Sequence, residues 1–264
     1  MKLRKLDDYQ SWLLEFEDDA GAPVRVLMDP WLSERYVAGG AWLLSRSHGA
    51  PWIGLDELDV ASLDYVLLSA HFADHLDPET LGALPEQLPI LATPFAAKLL
   101  RRRGHASVEA LRLGEPRSLA PGVELLPVQP GWPYRHNSMG YCIHEHRSGR
   151  RVYVETHVTH KRRLPQLRAG GPVDVAVLPV ESVRLLGLPI VMGGARSLEA
   201  VTALEPRWVL PTGLEPQNTR GLLGALLSTA GSARDFADRL RESESNVEFV
   251  ELEPGASFTV PARV

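Results

Sequence analysis

Apolar residues in the first half of the chain occur in short runs that are typical of β-strands. Residues 11–18 and 24–30 are two such runs, and the polar, glycine-containing segment DAGAP between them predicts a β-hairpin. Residues 63–70, LDYVLLSA, are almost continuously apolar, which indicates a strand buried on both faces. Further strands are predicted in the runs 88–94, 107–113, 123–130, 140–146 and 150–157.

Two helices are predicted between these strands. Asp77 can cap a short helix that begins at Pro78 and ends near Leu84, because aspartate is favoured at the N-cap and proline at the first helical position. Residues 94–105 begin with proline and end with Gly104 and His105, which indicates a second helix.

The second half alternates strands and helices. Strands are predicted at 173–180, at 207–212 and within 246–260, and helices at 197–204 and within 226–243. LDYVLLSA and VDVAVLPV share an apolar–Asp start and an apolar continuation, a faint sign of a duplicated half. The whole pattern predicts an α/β (α+β) fold, a four-layer αββα sandwich of two mixed β-sheets. No linker interrupts residues 1–264, so we expect one domain.

The amino-acid composition limits the classes of partner that we expect for this protein. The 264 residues carry a net charge of -5, which argues against nucleic acid as a general partner, since nucleic-acid binding usually shows as a basic surplus. No apolar run reaches the roughly 20 residues that span a bilayer, and the N-terminus lacks an apolar signal region. We therefore expect a cytoplasmic protein with a small-molecule substrate or ligand, and its oligomeric state stays open. Cys142 is the only cysteine, which excludes an intrachain disulfide and a cysteine zinc site.

The segment LSAHFADHLDPET, residues 68–80, carries the strongest chemical signal. His71, Asp74 and His75 directly follow a predicted buried strand, where ligands collect in layered α/β folds. Imidazole and carboxylate together suit zinc, manganese or iron. The alternative is a structural Asp–His pair that caps the following helix.

The order of motifs resembles the metallo-β-lactamase fold superfamily, and most closely its branch of ascorbate-phosphate lactonases and related metal-dependent hydrolases. The resemblance covers roughly residues 5–225 and rests on LMDPWLS, DYVLLSAHFADHLD, VQPGW, GYCI, VYVETH, VAVLPV and WVLPTG in sequence. It implies the fold described above and a strand ending in H-x-H-x-D-H, whose side chains hold two metal ions.

This chain departs from that ligand pattern. Asp74 and His75 match the last two motif positions, and Glu155 is nearest to the bridging acid. The remaining ligand positions carry residues that do not bind metals well, namely Ala70, Phe72, Trp132 and either Thr212 or Gly213. All nine histidines lie between His48 and His160, so none can fill the last position. A two-metal site of the usual kind is therefore excluded.

A rearranged site with one zinc, manganese or iron ion stays open, as does a site without any metal. Its predicted ligands are His71, Asp74, His75, Glu155 and His157, and its predicted catalytic residues are Asp74 and His75. The resemblance also places Asp29, Trp132 and His136 in or beside the pocket, with Asp29 orienting a histidine. The alternative is a purely structural role, in which Asp29 begins an Asp-Pro turn.

Three functions follow from these alternatives. The first is a hydrolase with an altered, single-metal site for a small ester, lactone or phosphate-bearing substrate. The second is a non-catalytic descendant that binds a ligand or partner, which the bulky Phe72 and Trp132 favour. The third is a metal-free enzyme with Asp74, His75 and His157 as acid–base groups. The basic segments 101–105 and 160–164 either meet an anionic substrate or form solvated surface.

Overall fold

The computed structural model describes residues 1–214, 217–243 and 245–261. The strands in these residues are, in chain order, β1 (Lys2–Lys5), β2 (Trp12–Glu17), β3 (Pro23–Met28), β4 (Arg35–Ala38), β5 (Leu44–His48), β6 (Tyr65–Leu68), β7 (Ile90–Ala92), β8 (Val108–Ala110), β9 (Arg117–Ala120), β10 (Val123–Val128), β11 (Gly140–Glu145), β12 (Arg150–Val154), β13 (Val175–Pro179), β14 (Ser182–Leu185), β15 (Leu188–Val191), β16 (Trp208–Thr212), β17 (Gln217–Arg220), β18 (Leu227–Ala230), β19 (Glu248–Phe249) and β20 (Ser257–Thr259).

The helices follow the local signals in the sequence. They are α1 (Pro78–Ala83), α2 (Pro94–Arg102), α3 (Leu164–Ala169), α4 (Gly194–Leu204), α5 (Leu222–Leu226) and α6 (Ala233–Glu242), with 3₁₀ turns at Leu55–Glu57 and Val60–Ser62. Asp77 caps α1 by accepting the Thr80 N–H, as its position before Pro78 predicts. No helix among the described residues is long and apolar enough to cross a membrane.

Two large mixed sheets form the centre of the fold. The first has the strand order β20-β1-β2-β3-β6-β7-β8, and the second β19-β16-β13-β12-β11-β10-β9. In each sheet one half is antiparallel and the other half parallel. The strands β6 and β13 take the same place, because each pairs in parallel with the last strand of an antiparallel series. This agrees with the similarity of LDYVLLSA and VDVAVLPV.

The predicted four layers are confirmed by the packing. One apolar cluster lies between the two sheets, and each outer face carries a further cluster with its own helices. Alternation along β13 explains this, since Val175 and Val177 point into the central cluster while Ala176 and Leu178 pack on the other face. The near-continuous apolar strands are therefore those buried on both faces.

Two three-stranded sheets were not predicted from the sequence. One has the order β17-β5-β4 and the other β15-β14-β18. The helix predicted at 197–204 begins three residues earlier at Gly194, and the segment 226–243 contains a strand before its helix. The sequences of β5, LSRSH, and β17, QNTR, lack apolar alternation, so their pairing comes from tertiary contact.

A hydrogen bond between the two large sheets gives a first testable expectation. Tyr141 of β11 is buried, and its hydroxyl donates to the carbonyl oxygen of Leu68 in β6 at 2.7 Å. Replacing Tyr141 with Phe should lower the free energy of unfolding by about 1–2 kcal/mol, because a buried carbonyl loses its donor. Urea unfolding measures this.

Tyr65→Phe is the matched control. Its hydroxyl donates to the Leu119 carbonyl at 2.8 Å, but Tyr65 is only half-buried, so water can replace the lost donor. Both bonds join the two large sheets, so an equal loss in both variants would show that burial of the Tyr141 hydroxyl adds nothing to its contribution.

Candidate functional site

Strands from both large sheets end at a common edge, where the polar residues of the site collect. Asp29 follows β3, Ser69 follows β6 and Glu155 follows β12. An isolated antiparallel bridge joins Ala70 to Ser138, which draws the loop before β11 over the end of β6. These polar residues therefore lie at the carboxyl ends of parallel strands, where ligands collect in layered α/β folds.

Asp29 holds His75 in place. Asp29 Oδ2 lies 2.9 Å from His75 Nδ1, and both side chains are buried. Oδ1 accepts the Ser69 N–H at 2.7 Å, and Oδ2 accepts the Ser69 hydroxyl at 2.5 Å. The backbone of Asp29 has a φ of 44°, a left-handed conformation that Asp tolerates better than most residues. This turn aims the carboxylate at the end of β6.

A chain of hydroxyl groups continues from Asp29 into the second sheet. Ser69 Oγ lies 3.0 Å from Thr156 Oγ1, which lies 3.1 Å from His157 Nδ1. Ser138 Oγ reaches the same nitrogen at 3.2 Å. The Nδ1 atoms of both buried histidines are therefore engaged by hydroxyl or carboxylate groups.

The proton positions follow from counting donors. Ser69 has one hydroxyl proton, and its 2.5 Å contact gives that proton to Asp29. Ser69 Oγ also lies 3.0 Å from His75 Nδ1, so this nitrogen must carry a proton and act as the donor. For the same reason Thr156 donates to Ser69. Nδ1 is therefore engaged, which leaves Nε2 as the ring nitrogen of His75 available to another partner.

His75 Nε2 is a buried polar atom without a hydrogen-bond partner among the described residues. Asp74 Oδ1 is near it, at 4.0 Å, and Asp74 Oδ2 accepts the Tyr9 hydroxyl at 3.0 Å. Burial alone would lower the pKa of His75, but the charges of Asp29 and Asp74 and the bond to Asp29 outweigh it, so the pKa is raised. The two carboxylates thus favour the imidazolium form of His75 more than water does.

The buried surroundings of Glu155 favour the protonated form of its carboxyl group. Burial raises its pKa to about 8, although its hydrogen bonds oppose the shift. Its Oε1 accepts the His157 N–H at 3.0 Å, and its Oε2 receives the Tyr153 hydroxyl at 3.4 Å. A Cβ on Gly140 would lie 2.8 Å from Oε2, so the glycine of the GYCI segment makes room for this carboxyl group.

His157 is enclosed by rings. It stacks on His75 with ring centroids 4.7 Å apart and contacts Tyr134 at 4.2 Å and Phe72 at 5.8 Å. Burial, together with repulsion from His75 and His71, lowers the pKa of His157 well below its usual value. His157 is therefore neutral.

The other predicted site residues lie farther out. His71 is half-buried between the rings of Phe72 and Phe95, and its Nδ1 faces the Asn137 carbonyl at 3.4 Å. His136 is exposed on the loop before β11, and Trp132 is 59% exposed there. The structure thus brings together Asp29, Asp74, His75, Glu155 and His157, but leaves His71, His136 and Trp132 at the periphery.

The vacated ligand positions have structural roles. Thr212, at the place of the last family histidine, donates to the Tyr9 carbonyl at 2.7 Å and accepts the Trp12 indole N–H at 3.2 Å. Ala70 takes part in the bridge to Ser138. Phe72 fills space beside His157.

These donors do not fit a metal ion. Within residues 1–214, 217–243 and 245–261, no three His, Cys, Asp or Glu side chains converge to hold one. His75 Nε2 and Asp74 Oδ1 are two suitable atoms, but a catalytic site needs about three protein ligands. His157 Nδ1 is engaged by hydroxyl groups, and Glu155 is bound to backbone and to Tyr153. The predicted five-ligand set is therefore not assembled.

Sequence reasoning missed the hydroxyl groups that connect this site. Ser69 directly precedes the H-x-H-x-D-H-like segment, and Thr156 lies between Glu155 and His157. Their position next to predicted site residues was the one signal in the sequence that could have indicated them. Tyr9 has no local signal, because its contact with Asp74 joins distant parts of the chain.

Comparison with known proteins places the chain in a family. The family model of the β-lactamase superfamily domain matches residues 5–213, so the chain belongs to that family. No curated protein matches the chain.

Solved structures share the fold. An isothiocyanate hydrolase from Delia radicum gut bacteria is 19% identical with a TM-score of 0.74, covering 100% of both chains. A possible metal-dependent hydrolase from Veillonella parvula DSM 2008 is 17% identical with a TM-score of 0.71, covering 98% of this chain and 99% of that one. A diiron β-hydroxylase from Streptomyces venezuelae is 18% identical with a TM-score of 0.62, covering 93% of this chain and 53% of that one. At these identities the likeness establishes the metallo-β-lactamase fold.

Proposed function

We propose that this protein is a metal-independent member of its family that binds a small hydroxyl- or amide-bearing ligand between His75 and Asp74. One observation carries the proposal: His75 Nε2 is buried and unpartnered among the described residues, while no third metal-binding side chain converges on it. A buried polar atom without a partner costs free energy, which a bound ligand would recover.

The geometry between the two side chains suits such a group. The 4.0 Å separation of His75 Nε2 and Asp74 Oδ1 is too long for a direct hydrogen bond. A single hydroxyl group can accept from the imidazolium N–H and donate to the carboxylate. Asp74 is 17% exposed while His75 is 1% exposed, so a ligand would enter from the Asp74 side.

A second candidate is the hydrolase with one zinc, manganese or iron ion. The same unpartnered Nε2 beside Asp74 Oδ1 favours it, because these two atoms could serve as ligands. The substrate would then be a small ester, lactone or phosphate-bearing molecule. The missing third ligand counts against this candidate.

Metal content separates the two candidates. Elemental mass spectrometry of protein purified without a metal-affinity tag should find far less than one equivalent of zinc, manganese or iron, also after incubation with each ion. Native mass spectrometry of the same preparation should reveal a bound small molecule that is lost from Asp74→Asn and His75→Gln but kept in His71→Ala, which removes a peripheral imidazole.

Two results would decide against the proposal. Near-stoichiometric metal that disappears in Asp74→Ala/His75→Ala would establish the single-metal site instead. A mass spectrum without any adduct, combined with failure of ligand-like fragments to shift the His75 resonances in nuclear magnetic resonance spectra, would remove the binding function.

A further inference from the structure

A basic surface lies on the helical side of the second sheet, where two cavities meet. The first cavity, of about 310 Å³, is bordered by Arg184, Arg196 and Arg239. The second, of about 250 Å³, is bordered by Arg196 again and by Arg135, Lys161 and Arg162. Arg196 borders both cavities, and we call the two together the basic cleft.

The positive charge of the basic cleft is poorly balanced. Its acidic lining residues are Glu199 and Asp235. Glu199 is paired with Lys161 at 2.5 Å, which leaves the Asp235 carboxylate as the other negative charge against the five arginines that line the cleft. The guanidinium groups of the cleft make no ion pair with any described residue. Several like charges therefore face a common space within a protein of net charge -5.

The position of Arg196 adds to the imbalance. It lies in the first turn of α4, which contains no acidic residue and whose N-cap, Gly193, provides no side-chain acceptor. The amino end of a helix carries a partial positive charge, so a cation there is unfavourable. Arg239 Nη1 lies 4.0 Å from where a Cβ on Gly194 would sit, which places a second guanidinium group beside the same helix end. A bound anion would remove this repulsion.

We propose that the basic cleft binds a small ligand that carries two or more phosphate groups. Guanidinium groups match phosphate oxygens with paired hydrogen bonds, and cations spread over two neighbouring cavities suit more than one phosphate. The cleft lies outside the His75–Asp74 site, and this proposal holds whether or not that site takes a ligand.

Isothermal titration calorimetry with inorganic pyrophosphate tests the proposal, at ionic strength held constant with sodium chloride. Wild-type protein should bind pyrophosphate with one saturable site and more tightly than orthophosphate. Arg196→Gln and Arg239→Gln should each weaken binding about ten- to hundredfold, as expected for loss of a charge-assisted hydrogen bond. Arg102→Gln is the matched control, because it removes the same charge from the exposed end of α2 and should leave binding unchanged.

Several outcomes would overturn the proposal. These are the absence of saturable binding, equal affinities for orthophosphate and pyrophosphate, or an equal loss in Arg102→Gln and Arg196→Gln. Displacement of pyrophosphate by a short single-stranded oligonucleotide at lower concentration would point to nucleic acid instead. The three arginines are exposed, so unchanged circular dichroism and melting temperatures should show that the variants remain folded.

Discussion

Replacing Asp29 with Ala is expected to lower the free energy of unfolding by about 3–5 kcal/mol, because it leaves the buried His75 imidazole and both Ser69 donors without their acceptor. Asp29 is the acceptor for the Ser69 N–H and the Ser69 hydroxyl, and its Oδ2 lies 2.9 Å from His75 Nδ1. All of these groups are buried, so water cannot replace the lost acceptor. Urea unfolding at neutral pH measures the loss.

The variant Asp29→Asn separates the effect of the carboxylate charge from the effect of the left-handed backbone conformation at this position. Asparagine tolerates the left-handed φ of 44° and keeps one oxygen for the Ser69 N–H. Its amide group would then meet the donors of Ser69 and His75, so we expect a loss smaller than in Asp29→Ala but still above 1 kcal/mol, the usual scale of a net hydrogen bond.

A double-mutant cycle with His75→Phe tests whether His75 is the group through which Asp29 stabilises the fold. If the buried ion pair carries the effect, Asp29→Asn should cost at least about 1 kcal/mol less in the His75→Phe protein than in the wild type. An equal cost in both backgrounds would show that Asp29 stabilises only the backbone of Ser69.

The sequence revealed the large sheets because their information is local. The strands β6 and β13 are short apolar runs that need two buried faces, which a four-layer sandwich supplies. The small sheets were missed for the opposite reason. Gln217 of β17 pairs with His48 of β5, and neither strand has an apolar pattern, so only the folded chain brings them together.

The candidate site could be predicted in part, because some of its residues also carry a local signal in the sequence. Asp74 and His75 stand in a short motif, and Asp29 ends a predicted strand, so each has a local signal. The hydroxyl groups of Ser69 and Thr156 have ordinary local surroundings, and their role depends on two sheets meeting at one edge. The sequence therefore predicts the charged residues better than the network that orients them.

The sequence predicted five metal ligands, whereas no metal-binding group is assembled among the described residues, and this difference also has a physical cause. Stacking of His75 on His157 and the raised pKa of Glu155 are both results of burial, which a linear sequence does not show. The bulky Phe72 and Trp132 at two lost ligand positions were the sequence features that favoured a non-catalytic protein without metal ions.

Asp7→Asn is expected to stabilise the protein at pH 8, by up to about 3 kcal/mol. Burial raises the pKa of Asp7 from its usual 3.8 to about 6, although bonds from Ser11 and Tyr9 and the charge of Lys5 oppose the shift. The folded pKa is above the unfolded one, so the stability contributed by this group is complete below pH 3.8 and lost as the pH rises through about 6. A shift of about two units corresponds to about 3 kcal/mol.

Asparagine should reproduce the protonated acid. Its oxygen can accept the N–H groups of Tyr9 and Ser11, which now reach Asp7 Oδ1 at 3.0 and 2.8 Å. Its amide N–H can donate to Ser11 Oγ, which lies 2.8 Å from Asp7 Oδ2 and directs its own proton to the Asp29 carbonyl. All contacts are therefore kept without the buried charge.

Chemical unfolding between pH 4 and pH 8 measures how the stability difference between Asp7→Asn and the wild type depends on pH. Asp7→Asn should gain stability over the wild type progressively from pH 4 to pH 6 and hold that gain to pH 8, because the wild type alone loses stability over this interval. Asp59→Asn, which removes the same charge from an exposed turn, should change stability by less than about 0.5 kcal/mol at any pH. A gain for Asp7→Asn that is the same at pH 4 and pH 8 would mean that ionisation of Asp7 is not its cause, and a loss at pH 8 would mean that the carboxylate is stabilised in the fold.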